Sequence, residues 1–255
     1  MKRIQQILIL SVLIIILLIY SQELLFSLQH YFLSTHINNP TRPYANKKTI
    51  SNYKIYSKVW AHRVNSLERY QYLRNSFSGF EVDVVFMGNH FDVGHPPLQS
   101  INLSFEKYLK VAGSGKKLFW LDLKNLSAQN EIAIINHLNK LDSLYNIKSR
   151  IIIESNNIPS LSRISLNGYF TTYYYDNDSY NKLVASGNKE KLTIIDAISQ
   201  DISMYDTLRN KFPQKPRLTW ALSFSNYFSH KQFNKLDKDS LLLVYLVNIK
   251  SPSYR

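Results

Sequence analysis

Two short patterns carry the strongest chemical signal in this chain. Glu81 and Asp83 stand two apart in Gly79-Phe-Glu-Val-Asp-Val-Val, and Asp122 and Lys124 stand two apart in Phe119-Trp-Leu-Asp-Leu-Lys-Asn. Both pairs sit inside apolar runs, where charged groups need partners. In a strand, residues i and i+2 point to the same side. If that side is a shared interior, three carboxylates converge beside one ammonium. Three carboxylates together repel one another strongly, and a bound divalent cation resolves the conflict. Oxygen-only ligands suit Mg²⁺ or Ca²⁺ rather than zinc.

Two histidines supply acid–base chemistry. His62 ends the run Trp60-Ala-His-Arg63-Val-Asn65, and His95 lies in Phe91-Asp-Val-Gly-His-Pro-Pro. Two imidazoles flanking a metal-bound phosphodiester divide the labour: one attacks or takes a proton, the other protonates the leaving oxygen. His90 lies only five positions before His95, and spacing alone does not separate them. His30, His36, His137 and His230 read as structural or exposed. Glu154 and Asn156 end a further apolar run and read as rim residues without a defined role. Trp220, in Leu218-Thr-Trp-Ala, is equally well a pocket wall or a core tryptophan.

The elements that must position these groups follow from the apolar pattern. Eight strand-like runs emerge at 58–64, 79–86, 118–125, 150–155, 168–175, 192–198, 217–224 and 241–249. Several are near-continuously apolar, as for strands covered on both faces. Helical spacing appears between them, at 66–75, 104–111, 127–144 and 201–212. The third of these begins at Ser127, a good N-cap, and spaces Ile132, Ile135, Leu138, Leu141 and Leu144 along one face. Strand alternating with helix predicts a parallel (β/α)₈ TIM barrel over residues 56–255. In such a barrel the C-terminal strand ends line the active site, and the ionisable residues named above fall at or near those ends.

Composition sets the outer bounds. The chain is 45% hydrophobic and has no cysteine, which excludes disulfides, thiolate metal sites and cysteine nucleophiles. Its formal charge of +13 attracts anionic lipid, phosphorylated substrates or nucleic acid alike. No zinc finger, RNA-recognition signature or basic heptad helix points to nucleic acid, so no nucleic-acid partner is expected. Lys2 and Arg3 precede an apolar run from Ile4 to Tyr20. That pattern predicts a signal anchor or transmembrane segment over residues 1–28, uncleaved because no small-x-small site follows it. A polar tether over residues 29–55 then leads into the barrel. The positive flank places the barrel on the extracytoplasmic side, or secreted if the segment is cleaved. The expected partners are the membrane through this helix and an anionic phosphodiester or lipid substrate, with the chain a monomer.

The motifs around His62 and Asn65, around Glu81 and Asp83, around His95-Pro-Pro and around Asp122 and Lys124 resemble, in order and spacing, the glycerophosphodiester phosphodiesterase-like barrels. The start His62-Arg-Val-Asn65 is closer to the sphingomyelinase D-type phospholipases and the menorin family. The His95-Pro-Pro segment and the tryptophan before Ala61 favour the menorin-like branch. The resemblance implies that Glu81, Asp83 and Asp122 are metal ligands, that His62 is nucleophile or base, and that His95 is the general acid. It further implies that Lys124 steadies the phosphate, and it places Asn65 and Arg63 on the substrate side. Two functions stay open at this point. One is a phosphoric diester hydrolase or phospholipase D-like lyase; the other is a non-catalytic surface binding module on the same barrel. All six charged residues of the constellation are present, which favours the enzyme.

Overall fold

A computed structural model describes residues 58–220 apart from 114, 116 and 188, together with Leu236, residues 238–247 and the isolated Ser11. The expected anchor (1–28) and tether (29–55) otherwise lie outside the described residues. Among the described residues no helix is long and apolar enough to cross a membrane.

The chain opens with β1 (Val59–Ala61) and α1 (Leu67–Leu73), followed by β2 (Gly79–Phe86) and the short β3 (Phe91–Val93). Next come α2 (Phe105–Ala112), β4 (Leu118–Leu123), α3 (Glu131–Tyr145), β5 (Ile151–Ser155), α4 (Ile158–Leu166) and β6 (Phe170–Tyr174). The second half holds α5 (Asn177–Ala185), α6 (Lys191–Ile194), β7 (Ala197–Asp201), α7 (Tyr205–Lys211), β8 (Arg217–Trp220) and β9 (Leu242–Val247). Eight strands pair in parallel around a closed ring, β1-β2-β4-β5-β6-β7-β8-β9 and back to β1. This is the expected (β/α)₈ architecture. β3 stands outside the ring, antiparallel to the end of β2.

The interior alternates as the two-residue period requires. Trp60, Trp120, Ile152, Phe170, Ala197, Leu218 and Leu246 form one buried cluster inside the ring. Gly79 answers to Trp60: a Cβ there would lie 2.1 Å from the indole. Glycine is therefore the residue that lets β1 and β2 close around a tryptophan. At the neighbouring seam, the Arg217 Nη2 donates to Asp239 Oδ2 at 3.0 Å, Lys58 Nζ donates to the Asp239 carbonyl at 2.9 Å, and the Tyr205 hydroxyl donates to the Asp239 carboxylate. These bonds tie the starts of β1, β8 and β9 together at the end of the barrel away from the strand C-termini.

Three sequence expectations are corrected. The run 192–198 is not one strand: Lys191–Ile194 is helical and the strand starts at Ala197. Leu192 and Ile195 are buried three residues apart, a spacing that helix and strand share too ambiguously in so short an apolar run. Ser127 is not the N-cap of α3. Asn130 occupies that position, and its side chain turns back to accept from the Ser127 N–H (2.9 Å) and donate to the Asn125 carbonyl (2.8 Å). Finally, α3 buries Ile134, Ile135, Leu138 and Leu141 while Ile132 and Leu144 are exposed. At 3.6 residues per turn, Ile132 lies opposite Leu141. Ser66 and Ser104 do cap α1 and α2, each accepting from the backbone N–H three residues on. Of the runs at 217–224 and 241–249, only 217–220 and 241–247 are described; 217–220 and 242–247 are strands, and Leu241 lies in the turn before β9.

Candidate active site at the C-terminal mouth of the barrel

The parity of β2 and β4 puts Glu81, Asp83 and Asp122 on the inner face, above Gly79 and Trp120. Asp83 and Asp122 are register partners across the two strands, and Asp122 is in turn the partner of Glu154 on β5. One oxygen from each of Glu81, Asp83 and Asp122 lies within 4.8 Å of the others. Lys124, just past β4, sends its Nζ to Asp83 Oδ1 at 2.7 Å and to Asp122 Oδ2. The Lys124 backbone N–H donates to the Val84 carbonyl at 3.0 Å, and Asn125 exchanges two side-chain hydrogen bonds with the Phe86 backbone at 2.9 Å each. The strand-to-helix turn that carries Lys124 is thus clamped to β2, and Asn130 holds it from the other side.

Asp83 is fixed from behind by Asn65. The amide Nδ2 donates to Asp83 Oδ2 at 2.6 Å, and Asn65 Oδ1 accepts from the Asp83 backbone N–H at 2.9 Å. Glu81 is fixed by the loop after β1. The Arg63 backbone N–H donates to Glu81 Oε2 at 2.6 Å, and the Val64 N–H donates to the Glu81 carbonyl at 2.9 Å. Reaching this geometry takes Arg63 into the left-handed region at φ 52°, a conformation that costs a non-glycine residue free energy and clusters at functional sites. Tyr108 of α2 steadies the loop by donating its hydroxyl to the Val64 carbonyl at 2.9 Å. The His62 Nε2 lies 3.7 Å from Glu81 Oε2, and its ring is buried.

His95 arrives by another route. β2 continues into the hairpin with β3, and the chain returns so that the Gly94 N–H donates to the Asp83 carbonyl at 3.0 Å. That bond sets His95 level with the carboxylates. Its Nδ1 lies 2.6 Å from the Pro96 carbonyl. A carbonyl only accepts, so Nδ1 carries the hydrogen and Nε2 is the basic nitrogen. His90 sits in the hairpin turn, bonded through Nδ1 to Asn89 Oδ1 at 2.7 Å, and does not line the site.

These groups surround one cavity of about 300 Å³, lined by His62, Arg63, Glu81, Asp83, His95, Asp122, Lys124, Glu154, Asn156 and Trp220. Every residue singled out from the sequence as part of the site therefore lines it, except Asn65, which stands behind Asp83. Trp220 is a wall and not only a core residue: it stacks on Tyr174 at 5.6 Å and meets Trp120 edge-on at 6.0 Å. Trp120, Leu123, Ser155, Tyr174 and Leu246 complete the lining and were not named as site residues. Tyr174 had a readable signal, since it lies two and four residues beyond the inward-facing Thr172 and Phe170. Glu154 is the buried floor; Trp120 Nε1 donates to its Oε2 at 3.1 Å, and Ser199 Oγ donates to Oε1. His137 lies elsewhere, buried against Phe86 and Phe91.

The electrostatics divide the carboxylates. Burial, then the neighbouring Asp83 and Asp122 charges, push Glu81 well above the usual carboxylate range. Burial raises Asp122 as well. Burial also acts to raise Asp83, but the Lys124 charge and its hydrogen bond, with the Asn65 amide, outweigh it and hold Asp83 low. Burial acts to lower Lys124; the two aspartates overcome it and hold the ammonium well above its usual range. Two unit charges about 4 Å apart interact by ~4 kcal/mol at an effective dielectric near 20. Three such repulsions reach the order of 10 kcal/mol, comparable to the whole stability of a domain, about 5–15 kcal/mol. Lys124 offsets the two aspartates directly, whereas Glu81 is met by the Arg63 N–H and by the His62 imidazole at 3.7 Å. A hard divalent cation fits this donor set: three carboxylates in mutual reach and oxygen ligands only.

No family model and no curated protein matches this sequence. Solved structures do match. A glycerophosphodiester phosphodiesterase from Parabacteroides distasonis superposes with a TM-score of 0.53 at 14% identity, covering 75% of this chain and 92% of that one. A glycerophosphodiester phosphodiesterase from Thermotoga maritima gives 0.50 at 12% identity, covering 75% and 93%. A calcium-dependent phosphoinositol-specific phospholipase C from a Gram-negative Pseudomonas species gives 0.51 at 11% identity, covering 78% and 92%. The chain shares the fold of the phosphodiesterase and phospholipase C-like barrels.

Proposed function

We propose that this chain is a metal-dependent phosphodiesterase that cleaves an anionic phosphodiester of the glycerophosphodiester or phospholipid type. The observation that carries this reading is the convergence of three carboxylates, two histidines and a lysine in one cavity at the C-terminal mouth. The shared fold with phosphodiesterases and a phospholipase C supports it. In the finer reading, the chain belongs with the menorin-like and sphingomyelinase D-type branch. Its apolar N-terminal run anchors it to a membrane, with the barrel outside the cytoplasm.

Glu81, Asp83 and Asp122 hold Mg²⁺ or Ca²⁺ in this reading. When bound, such an ion neutralises phosphoryl oxygens and makes the phosphorus more electrophilic. Lys124 lies beside the ligands with its charge maintained by Asp83 and Asp122, and it orients a phosphate oxygen. His62 Nε2 faces the site beside Glu81. It takes the proton from the attacking oxygen, which is water or a hydroxyl of the substrate's own alcohol, as the new P–O bond forms. His95 Nε2, protonated, gives its proton to the departing alkoxide as the old P–O bond breaks. Attack by water yields a phosphomonoester; attack by the internal hydroxyl yields a cyclic phosphate, the lyase outcome. Arg63 and the Trp220–Tyr174 wall bound the space for the alcohol groups.

Hydrolysis of bis-(p-nitrophenyl) phosphate and of lysophospholipids, with added Mg²⁺ or Ca²⁺, tests this. Activity is expected to vanish with chelator and to fall by about 10²–10⁴ in His62→Ala and in His95→Ala, the range for removing a general acid or base. Activity that survives both His62→Ala and Asp122→Ala sinks the proposal.

A further inference from the structure

We propose that the loop from Pro96 to Ile101, together with the hairpin turn at Met87, is an interfacial contact that seats the mouth of the barrel on an anionic phospholipid surface. The inference deepens the phosphodiesterase reading, and the choice of lipid as partner rests on it.

The apolar side chains on this segment face outward. Met87 is 58% exposed, Leu98 65% and Ile101 49%, and Pro96 and Pro97 are exposed between them. The loop is nonetheless built, not frayed. The Leu98 N–H donates to the His95 carbonyl at 3.0 Å, Ser100 Oγ donates to Asp92 Oδ1 at 2.8 Å, and the Asn102 N–H donates to Ser100 Oγ at 3.0 Å. Its far end is tied down where the Val93 N–H donates to the Leu103 carbonyl at 2.8 Å. A segment held this firmly presents its apolar groups to whatever lies outside. Other exposed apolar side chains, such as Ile132, Leu144 and Val184, fall singly on outer helices, where they need no explanation. Leu98 and Ile101 stand three residues apart on the loop that follows His95, which lines the mouth.

Position and charge identify the partner. The loop starts at His95, which lines the cavity, so a surface against the loop is also against the mouth. The cavity, at about 300 Å³, is at the low end of small-molecule sites, roughly 300–1,000 Å³. It takes a head group but not two acyl chains, so a lipid diester must be met with its chains still in the bilayer. Arg63 lines the cavity, and Lys107 is exposed next to the loop with its Nζ 3.5 Å from the Asn102 carbonyl; Asp92, bonded to Ser100, and Glu106 stand beside them, so the pull toward an anionic surface comes from the basic balance of the whole chain. Basic groups beside apolar ones are the combination that holds a protein at an anionic interface, and the chain as a whole carries +13.

The absence of cysteine makes the test direct. Leu98→Cys and Ile101→Cys, each labelled with an environment-sensitive fluorophore, are compared with Leu144→Cys in the full chain. The proteins are reconstituted in vesicles of phosphatidylcholine with phosphatidylglycerol, and in phosphatidylcholine alone. A blue-shifted emission quenched by spin-labelled lipid is expected at 98 and 101 and not at 144, and more strongly on the anionic vesicles. Water-like emission at 98 and 101 in membrane-bound protein overturns the proposal, and equal insertion into both vesicles overturns its charge component. In a second arm, the Leu98→Glu/Ile101→Glu variant is expected to keep the wild-type rate on a soluble diester and to lose at least about tenfold on vesicle-borne lipid. Equal rates on both overturn it. If no diester is turned over at all, the enzymatic reading fails while the fluorescence still decides the docking.

Discussion

At the scale of residues, the site is a set of clamps around three carboxylates, and Asn65 is the most informative of them. It touches no part of the cavity, yet both ends of its amide hold Asp83. Replacing Asn65 with Ala is expected to weaken divalent-cation binding by about 10–100-fold, the usual loss when a group orienting a metal ligand is removed. Titration calorimetry with Mg²⁺ and Ca²⁺ reads this directly, and unchanged affinity rules it out. The carboxylates were legible in the sequence because charge inside an apolar, alternating strand has few innocent explanations. His62 was legible for the same reason, as the polar end of such a run. Spacing alone did not separate His95 from His90, because that choice depends on a hairpin that returns the chain to Asp83; only the resemblance of the His95-Pro-Pro motif pointed to His95. Trp220 was ambiguous because an indole at the top of a barrel strand is at once core and wall. Tyr174 was overlooked because a tyrosine two residues past an inward threonine looks like ordinary strand composition.

At the scale of elements, two seams show how the barrel closes. The first is β1 against β2, where Trp60 lies on Gly79. Gly79→Ala places a methyl group inside the indole contact and is expected to destabilise by about 1–3 kcal/mol, the cost of overpacking; urea unfolding followed by tryptophan fluorescence measures it. The second is the Arg217–Asp239 clasp joining β8 to β9. Burial acts to raise the Asp239 carboxyl, but bonds from Tyr205, the Leu241 N–H and Arg217 outweigh it and hold it below its ordinary value. A depressed native carboxyl stabilises above the unfolded-state value near 3.9, and that stabilisation is lost as pH falls through the lower native value. Asp239→Asn is therefore expected to cost about 1.5–3 kcal/mol at neutral pH and to narrow its gap from wild type as pH drops below about 4. A gap that widens on acidification contradicts the assignment. Strands such as Gly79–Phe86 were readable almost to the residue because both faces are covered and the run is apolar but for Glu81 and Asp83. β3 was invisible, since Phe-Asp-Val is too short to show a period. The helix at Lys191–Ile194 was misread because four apolar and polar residues suit either period.

At the scale of the whole molecule, the barrel gathers side chains from β2, β4, β5, β6, β8 and β9 and from the turn just past β1 into one opening, while the hairpin adds a histidine from outside the ring. A ligand that joins such distant parts of the chain stabilises all of them at once. A divalent cation at about one hundred times its dissociation constant adds ~2.7 kcal/mol, which for a domain of this size raises the melting temperature by roughly 5–10 °C. Thermal melts with and without Mg²⁺ or Ca²⁺ check this, with Asp122→Asn expected to show no ion-dependent rise. A wild-type chain that melts at the same temperature in chelator and in excess ion contradicts the cation site.

Lys124 gives this arrangement an order in time. Its ammonium already answers Asp83 and Asp122 in the folded chain, so the ring can close and the clamps can set in a newly made polypeptide that has met no ion. In the proposed reading, uptake of the cation is then a separate event that follows folding and is not a condition of it.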